Sequence, residues 1–340
     1  ADSDDDGLSD GDESDGCSSP VDPDTDDDLV TDGEEVENGS NPCEADQEPL
    51  EPNLPSSCDG LIYQGTFEPR TSVSLSTFCS NGYTKIDQNL VIQSTFLSSL
   101  RGLECLCEVR GNVRIKNNTT LLSVAGLNQL RIIGGTLLLE NNSVLTNVTA
   151  LNLLQWVGLN LIITNEQALS QLNHFTALET VMGSVRIENT RLLEIINGFS
   201  QLSWIGAELI LIGNQSLTTV SGLSGLEVIG STLEFYRNQS LRSISGLNQL
   251  DHVAGNVIIT ENISLEQING LTNLREIIGR MEVNRNSSLY NLTGPNAIQA
   301  IMGDLLIQSN PNLPTVQANN LRNLVGAGLQ GNAYIFGNRP

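Results

Sequence analysis

Residues 226–250, LEVIGSTLEFYRNQSLRSISGLNQL, contain one complete copy of a unit that recurs through most of this 340-residue chain. The first leucine of the unit returns every 24 residues, at Leu106, Leu130, Leu154, Leu178, Leu202, Leu226, Leu250 and Leu274, and Ile298 completes the series. A unit of this size cannot bury its apolar face alone, whereas stacked copies share one continuous core. The repeat therefore predicts an elongated body whose function lies on its surface.

Each copy has the pattern of short strands. Leu233 and Phe235, like Val257 and Ile259 one copy later, alternate with outward positions at a period of two. A glycine before most strands predicts a corner that needs a positive φ or a close backbone approach. These glycines are Gly111, Gly135, Gly183, Gly206, Gly230, Gly255, Gly279 and Gly303. No copy has enough helical residues for a βαβ crossover, and no apolar window is long enough to span a membrane.

These patterns predict an all-β fold, a right-handed parallel β-solenoid of about nine 24-residue coils after an acidic arm with little regular structure. The expected boundaries are acidic repeats at 1–47, a proline-rich linker at 48–58, an N-terminal cap with the first coil at 59–105, regular repeats at 106–313 and a C-terminal cap at 314–340. Within the last segment we expect a short capping helix at 318–324 and a final strand near 334–336.

An asparagine follows each predicted long strand, at Asn117, Asn141, Asn165, Asn189, Asn214, Asn238, Asn262, Asn286 and Asn310. Stacked asparagines can hydrogen-bond between coils and pair backbone groups that the strands leave open. Many of them also begin an Asn-x-Ser/Thr sequon, which predicts N-linked glycans on a secreted protein. The two interpretations compete, because a side chain buried in a column cannot carry a sugar. The complete set of sequons is Asn38, Asn117, Asn118, Asn141, Asn147, Asn214, Asn238, Asn262, Asn286 and Asn291.

The first 58 residues hold 21 of the 40 Asp and Glu residues and no Lys or Arg. The formal charge of −24 is therefore a local property of this segment, and it argues against nucleic-acid binding. Two runs of alternating carboxylates have the spacing of a calcium-binding loop, although Leu29 replaces the turn glycine of the second. The predicted Ca²⁺ ligands are Asp2, Asp4, Asp6, Asp10 and Glu13 in the first loop and Asp24, Asp26, Asp28, Asp32 and Glu35 in the second. The alternative is a disordered acidic tail.

The acidic segment resembles thrombospondin type 3 and related bacterial-style calcium repeats. The resemblance lies in the runs DTDDD at 24–28 and TDGEE at 31–35, and it covers residues 2 to about 46. It implies an extended, calcium-loaded and extracellular module.

The repeat body resembles the receptor L domain, the β-helical module of the insulin and epidermal growth factor receptors, and more closely the L-domain proteins of fungal cell surfaces. Residues 107–115, CEVRGNVRI, are similar to the segment that opens those domains, and the resemblance covers about 79–335. It implies a surface that binds proteins or builds walls and has no catalytic residues. Residues 314–340, which come after the repeats, contain no cysteine, unlike the cysteine-rich module of the receptors.

The chain has six cysteines, and this even number predicts disulfides in a secreted protein. The resemblance implies that Cys79 pairs with Cys107. Cys17 with Cys43 would then close the acidic module, and Cys58 would join the linker to Cys105.

We find no catalytic or zinc-binding signature and expect no enzymatic activity. We interpret His174 and His252 as solvated coil residues and Trp156 and Trp204 as residues that pack at the edge of the core.

Two non-enzymatic functions are compatible with these observations. The first is a secreted structural protein that self-associates into a filament or coat, with Ca²⁺ and N-linked glycans bound and no membrane span. The alternative is an adhesion or receptor-type ectodomain that binds a protein or glycan ligand on its solenoid face.

Overall fold

The computed structural model describes Ser9, Ser18, Ser19, Val21, Thr25, Val36, Pro52 and residues 54–340. The chain divides into two compact units, residues 1–51 and 52–340. The second unit contains all of the sheets described below.

The widest surface of this unit is an 11-stranded parallel sheet, here called the wide sheet, whose strands are four residues long. Leu233 and Phe235 point into the core and are 0% exposed, whereas Glu234 and Tyr236 between and after them point outward. The strands in chain order are β3 Leu90–Gln93, β5 Val113–Lys116, β7 Leu137–Glu140, β9 Leu161–Thr164, β12 Val185–Glu188, β15 Leu209–Ile212, β18 Leu233–Tyr236, β21 Val257–Thr260, β24 Met281–Asn284, β26 Leu305–Gln308 and β27 Ala333–Phe336.

A second 11-stranded sheet, here called the narrow sheet, consists mostly of two-residue strands, whose second residue points into the core. The strands are β1 Leu61–Tyr63, β2 Tyr83–Ile86, β4 Glu108–Val109, β6 Ile132–Ile133, β8 Trp156–Val157, β11 Thr180–Val181, β14 Trp204–Ile205, β17 Val228–Ile229, β20 His252–Val253, β23 Glu276–Ile277 and β25 Ala300–Ile301.

The third side of each central coil belongs to a five-stranded parallel sheet, here called the short sheet. Its strands are β10 Gln171–Leu172, β13 Ile195–Ile196, β16 Thr219–Val220, β19 Ser243–Ile244 and β22 Gln267–Ile268. Bridges from Ser123 to Asn147 and from Gln267 to Asn291 extend the same side beyond these strands.

The predicted fold class is confirmed: every strand pair is parallel, and a strand pairs with its equivalent in the next coil, as Leu209 does with Leu233 and Leu233 with Val257. The number of coils is about twelve instead of about nine. The difference arises because both cap segments join the sheets. Residues 59–105 supply β1, β2 and β3, and the C-terminal segment supplies β27.

The glycines before the wide strands allow close backbone approach, which was one of the two predicted reasons. Gly111 and Gly206 do not have a positive φ. A Cβ would stand 2.4 Å from the Gln88 carbonyl oxygen at Gly111 and 2.2 Å from the Met182 carbonyl oxygen at Gly206. Neighbouring coils therefore touch through their backbones at this corner, and a side chain there would push them apart.

Two α-helices lie at the ends of the solenoid. Helix α1, Ser72–Ser80, begins with a capping box, in which Thr71 Oγ1 accepts from Ser74 N and Ser74 Oγ accepts from Thr71 N, both at 3.2 Å. Helix α2, Thr315–Val325, is longer than the predicted 318–324 and ends at Gly326, where φ is 57°. Short 3₁₀ segments lie at Ser56–Cys58, Thr149–Leu151 and Gly326–Gly328.

Candidate functional surfaces

The predicted calcium ligands, Asp2, Asp4, Asp6, Asp10, Glu13, Asp24, Asp26, Asp28, Asp32 and Glu35, all lie outside the described residues. The same is true of Cys17, Cys43 and Asn38. Among the residues that the structure describes, no group of three or more His, Cys, Asp or Glu side chains could hold a metal ion.

A left-handed corner ends almost every wide strand. The four asparagines Asn117, Asn141, Asn165 and Asn189 have φ between 53° and 57°. Asparagine tolerates this conformation better than most residues. In later coils the corner residues are Gly213, Arg237, Glu261, Arg285 and Ser309, all with positive φ. The positive φ that the sequence suggested before the strand therefore lies after it.

A buried polar ladder occupies the position after this corner, and it corrects the predicted asparagine column. Asn214, Asn238, Asn262, Asn286 and Asn310 belong to the ladder. In the first half of the solenoid, however, the corner asparagines precede the ladder by one residue. The ladder residues there are Asn118, Asn142, Glu166 and Thr190, each 0% exposed. The interval of 25 residues between Asn189 and Asn214 arose from joining two different columns.

The ladder connects successive coils with a repeated set of hydrogen bonds. Asn238 N donates to Asn262 Oδ1 at 3.0 Å, and Asn214 N donates to Asn238 Oδ1 at 3.1 Å. Asn238 Nδ2 donates to the Leu211 carbonyl oxygen at 2.8 Å. Each asparagine therefore uses both its acceptor and its donor to pair backbone groups that the strands leave open at the corner. Thr95 at one end and Asn338 at the other extend the ladder into the caps.

The ladder changes chemistry at Glu166. One carboxylate oxygen, Oε1, accepts from Asn142 Nδ2 at 2.8 Å and from Asn142 N at 3.3 Å. The other, Oε2, is buried without a hydrogen-bond partner in the described part of the chain. Burial raises the pKa of Glu166 to about 7; the hydrogen bonds from Asn142 oppose the shift, and the charge of Glu140 adds to it. Where most other coils have an amide, this coil therefore has a carboxyl group whose protonated form is favoured by burial.

The structure divides the predicted glycosylation sites into two groups. Five sequon asparagines belong to the ladder and are 0% exposed: Asn118, Asn214, Asn238, Asn262 and Asn286. The others in the described part are accessible. Asn117, Asn141 and Asn147 are exposed and Asn291 is half-buried. Sequons with the same sequence pattern therefore differ in burial: the asparagine is buried in one group and accessible in the other.

Asn147 and Asn291 share one local geometry and one side of the solenoid. Asn147 Oδ1 accepts from Thr149 N at 2.8 Å, and Asn291 Oδ1 accepts from Thr293 N at 3.1 Å. Both are Asx-type turns, in which the side-chain oxygen is held by the backbone two residues later. Both asparagines occupy the outward column that runs along the short sheet.

The structure also corrects the cysteine pairing. Cys58 is bonded to Cys107 and Cys79 to Cys105, instead of Cys79 to Cys107 and Cys58 to Cys105. Thr84 explains the first pair, because its Oγ1 donates to the Cys58 carbonyl oxygen at 2.9 Å and its carbonyl oxygen accepts from Cys107 N at 2.8 Å. Cys79 lies in the last turn of α1, where its Sγ accepts from Cys105 N at 3.2 Å.

The histidines do not share one environment. His174 lies in a coil segment, half-buried, where burial lowers its pKa, and its Nε2 lies 3.3 Å from Thr149 Oγ1. His252 was predicted to be a solvated coil residue, but it lies half-buried in β20, with Nδ1 3.1 Å from a Glu276 carboxylate oxygen. Neighbouring outward positions of the narrow sheet create this cross-coil pair.

Trp156 and Trp204 lie on the narrow sheet on either side of Thr180. Trp156 is 6% exposed and Trp204 is half-buried. In the described part of the chain both indole nitrogens are buried without a hydrogen-bond partner. Both rings therefore fill space beside the core, in agreement with the packing interpretation.

The outward face of the wide sheet combines apolar and ionic positions. Arg186 contacts Glu188 at 2.7 Å and Glu208 at 3.0 Å. In the same column, Ile210 is only 4% exposed, and Glu234 follows it in the next coil. Burial and the nearby charge of Glu208 raise the pKa of Glu234. The outward face is thus partly apolar and partly charged.

The wide sheet ends in the edge strand β27 on one side and in the partly paired edge strand β3 on the other. β27 pairs only with β26, and its Tyr334 and Phe336 are 42% and 57% exposed. At the other end, β3 is bridged by the segment before α1 only at Phe67. A pocket of about 210 Å³ begins there, and it is lined by Glu68, Pro69, Arg70, Val91, Gln93, Ser94 and Thr95.

Sequence reasoning missed Glu166 and Thr190 as ladder members because it followed residue type. The signal that would have found them is position, since an unbroken 24-residue spacing from Asn118 to Asn310 passes through both.

Comparisons with protein-family models, with curated proteins and with solved structures find no match for this chain. Neither α1 nor α2, the helices found among the described residues, is long and apolar enough to cross a membrane. The parallel β-solenoid and its disulfides are therefore the firm basis for any functional argument.

Proposed function

We propose that this chain is a secreted, non-enzymatic structural protein that self-associates through the ends of its solenoid into an extracellular filament or surface coat. In this proposal the acidic segment binds Ca²⁺ and the solenoid carries N-linked glycans. The resemblances to thrombospondin type 3 repeats and to the receptor L domain favour the same location. The two disulfides support an oxidising compartment.

The observation on which the proposal depends is the unpaired edge of β27. Its sequence, AYIF, contains no charge and no proline, which are two of the features that protect an edge strand. Helix α2 packs against β27, but no hydrogen bond to the outward main-chain groups of β27 occurs in the described part of the chain. Leu305 N donates to the Asn332 carbonyl oxygen and Ser309 N to the Phe336 carbonyl oxygen. Because main-chain groups alternate sides along a strand, Ala333 and Ile335 direct their N–H and C=O groups away from β26. This edge therefore offers hydrogen bonds to a further strand.

The opposite edge of the sheet offers complementary groups. Val91 N donates to the Phe67 carbonyl oxygen at 2.9 Å. Every second residue of the segment that contains Phe67 directs its main-chain groups toward β3, so the next donor to β3 would be residue 69. That residue is Pro69, which has no N–H. Pairing along β3 therefore stops, and the rest of its edge faces the pocket beside Pro69 and Arg70.

A head-to-tail contact between two copies would place β27 of one beside β3 of the next. The two strands belong to the same parallel sheet, so this contact would continue the sheet with its strand direction unchanged. Such a heterologous contact does not close on itself and so produces a fibre.

Substitutions at Ala333 test the proposal. Ala333→Pro removes an N–H that points away from β26, so the internal ladder stays intact. Ala333→Val is the matched control, because it adds bulk but keeps the N–H. We expect wild type and Ala333→Val to form species that lengthen with concentration in sedimentation velocity and negative-stain micrographs, and Ala333→Pro to remain monomeric with an unchanged melting temperature.

Two results would overturn self-association through this edge. One is a wild-type protein that stays monomeric at all concentrations tested, in calcium. The other is an Ala333→Pro variant that assembles as the wild type does.

The outward face of the wide sheet supports a second candidate, an adhesion or receptor-type ectodomain that binds a protein or glycan ligand. In its middle column Ile210 and Ile258 each lie between charged positions, and Ile162 lies between Leu138 and Arg186. If this face binds a ligand, Ile162→Lys and Ile258→Lys should abolish cell-surface binding measured by flow cytometry and leave assembly unchanged. Unchanged binding by both variants would exclude the face.

A further inference from the structure

We propose that Asn117, Asn147 and Asn291 are the N-glycan acceptors of the solenoid and that the ladder sequons are never modified in the folded protein. This inference rests on the proposed function, because the sugar is added in the secretory pathway. It goes further by selecting acceptors among sequons that the sequence alone does not distinguish.

The chemistry of the modification identifies the atom that matters. Asparagine Nδ2 attacks the anomeric carbon of a lipid-linked diphospho-oligosaccharide, so an N–C bond forms, the bond from that carbon to the phosphate oxygen breaks, and the lipid diphosphate leaves. Nδ2 loses one proton, and no oxidant or reductant takes part. A sugar that persists in the folded protein therefore needs an Nδ2 that is accessible in the fold and whose hydrogen bonds the fold does not require.

The ladder asparagines fail both conditions. Nδ2 donates to a carbonyl oxygen of the coil before at 2.8 Å in Asn214, Asn238, Asn262 and Asn286, and at 2.9 Å in Asn118. All five side chains are 0% exposed. A sugar on any of them has no room between the packed coils, so it would separate two coils and break the hydrogen bond from Nδ2 to the carbonyl oxygen. Since the sugar is attached before folding is complete, a chain modified there cannot form its solenoid.

Asn147 and Asn291 satisfy both conditions. In each, the turn occupies Oδ1 with the backbone N–H of the sequon threonine, at 2.8 Å and 3.1 Å. No residue of the described chain accepts a hydrogen bond from either Nδ2. The fold therefore tolerates a sugar on either Nδ2, because the turn uses only Oδ1 of the side chain.

Only one of the two neighbouring corner asparagines, Asn117 and Asn141, has room for a sugar. They stack on the corner column one coil apart, and Asn141 Nδ2 donates to Asn117 Oδ1 at 3.2 Å. Neighbouring coils are separated by about 4.8 Å, too little for two branched sugars side by side. The Nδ2 of Asn117 has no acceptor in the described chain, so the single sugar belongs there.

Two of the three acceptors lie on the short-sheet side of the solenoid, and the third lies at the corner between a wide strand and that side. Asn147 and Asn291 share the outward column of the short sheet, and Asn117 stands at the corner that ends a wide strand. The middle of the wide sheet and the β27 edge contain no acceptor. The sugars therefore leave open the surfaces that the proposed function uses for contacts.

Site mapping in a eukaryotic secretion host tests the inference, with the host's signal peptide supplied so that passage through the secretory pathway is imposed. The folded, secreted fraction is treated with peptide N-glycosidase in ¹⁸O water and digested, so that each formerly glycosylated asparagine acquires a mass label. We expect label at Asn117, Asn147 and Asn291 and none at the ladder positions.

Sequon variants provide the matched controls. Thr149→Ala and Thr293→Ala should each remove one glycan from the intact mass, whereas Ser240→Ala, which destroys the sequon of ladder residue Asn238, should leave the mass of attached sugar unchanged. Label at any ladder asparagine of the folded fraction would overturn the inference, as would secreted protein without label at Asn147 and Asn291. Failure of the proposed function would give a different result. In the native source the chain would then be intracellular and unmodified, while site mapping in the secretion host would still show label at the expected asparagines.

Discussion

At the scale of single residues, the ladder stabilises the solenoid by satisfying backbone groups that its corners expose. An unpaired buried N–H or C=O costs about 1–3 kcal/mol, and the ladder repeats its set of hydrogen bonds in almost every coil. Glu166 and Thr190 are the exceptions. Thr190 Oγ1 donates to the Glu188 carbonyl oxygen at 3.4 Å instead of to the coil before, and a carboxylate at Glu166 cannot donate to the carbonyl that an asparagine Nδ2 reaches. Asn142 Nδ2, for example, donates to the Ile115 carbonyl oxygen. The equivalent carbonyl for Glu166, one coil later, is that of Leu139.

Glu166 should make the solenoid less stable as pH rises. Its pKa is about 7 in the fold and 4.5 in the unfolded reference, so the folded state binds the proton more tightly. Below 4.5 the carboxyl is protonated in both states and there is no penalty. Between 4.5 and 7 the free energy of unfolding falls, by about 3 kcal/mol in total. Glu166→Gln should remove this fall, because its amide stays neutral and donates a hydrogen bond.

Urea unfolding at a series of pH values measures this effect. The wild type should lose stability relative to Glu166→Gln as pH rises from 4.5 through 7, and the variant should be the more stable protein at pH values above this range. Glu194→Gln, at an exposed position, serves as the control and should follow the wild type. A constant difference between wild type and Glu166→Gln across this range would show that the buried carboxyl does not titrate as described.

At the scale of elements, two disulfides connect different parts of the N-terminal cap to the same region of the first coils. Cys58–Cys107 joins the segment before β1 to the start of β4, and Cys79–Cys105 joins α1 to the same region. The sequence separations are 49 and 26 residues. Each crosslink reduces the conformational entropy of the unfolded chain. In the loop-closure model this raises the free energy of unfolding by about 3–4 kcal/mol.

Counting thiols in paired variants tests this connectivity. Cys79→Ser with Cys105→Ser removes one complete bond, so we expect no more free thiol than in the wild type. Cys79→Ser with Cys107→Ser breaks both bonds and should release a pair of thiols in a denatured, non-reduced sample. The reverse pattern would show that the pairing implied by the receptor resemblance is the native one.

At the scale of the whole molecule, the acidic residues are concentrated in the first unit, while the solenoid is nearly balanced in charge. Uncompensated carboxylates at this density repel one another unless cations bind among them. The predicted loop from Asp2 to Glu13 supplies carboxylates at the spacing that suits Ca²⁺, and the loop from Asp24 to Glu35 lacks the turn glycine.

Calcium titration of the full chain tests the two loops. Glu13→Gln removes the carboxylate expected to bind Ca²⁺ through both oxygens, and we expect it to weaken the tighter binding event in calorimetry at least about 10-fold. Glu44→Gln, an acidic position outside both loops, is the control and should bind as the wild type does. Equal affinity for wild type and Glu13→Gln would favour the alternative of an unstructured acidic tail.

Much of the architecture followed from the sequence alone, because the 24-residue period and the alternation of Leu233 and Phe235 are local properties repeated in every coil. They specify parallel strands and a shared core without knowledge of any distant contact. Residue type did not reveal which of two adjacent residues faces inward at each corner, and the tertiary structure shows the physical reason. A left-handed residue at Asn117 or Asn141 turns the next side chain into the core, so neighbouring asparagines in one sequence pattern have opposite environments. The cysteine partners also depended on the tertiary structure, because Cys105 and Cys107 are only two residues apart and the packing of α1 and Thr84 determines which one each partner reaches.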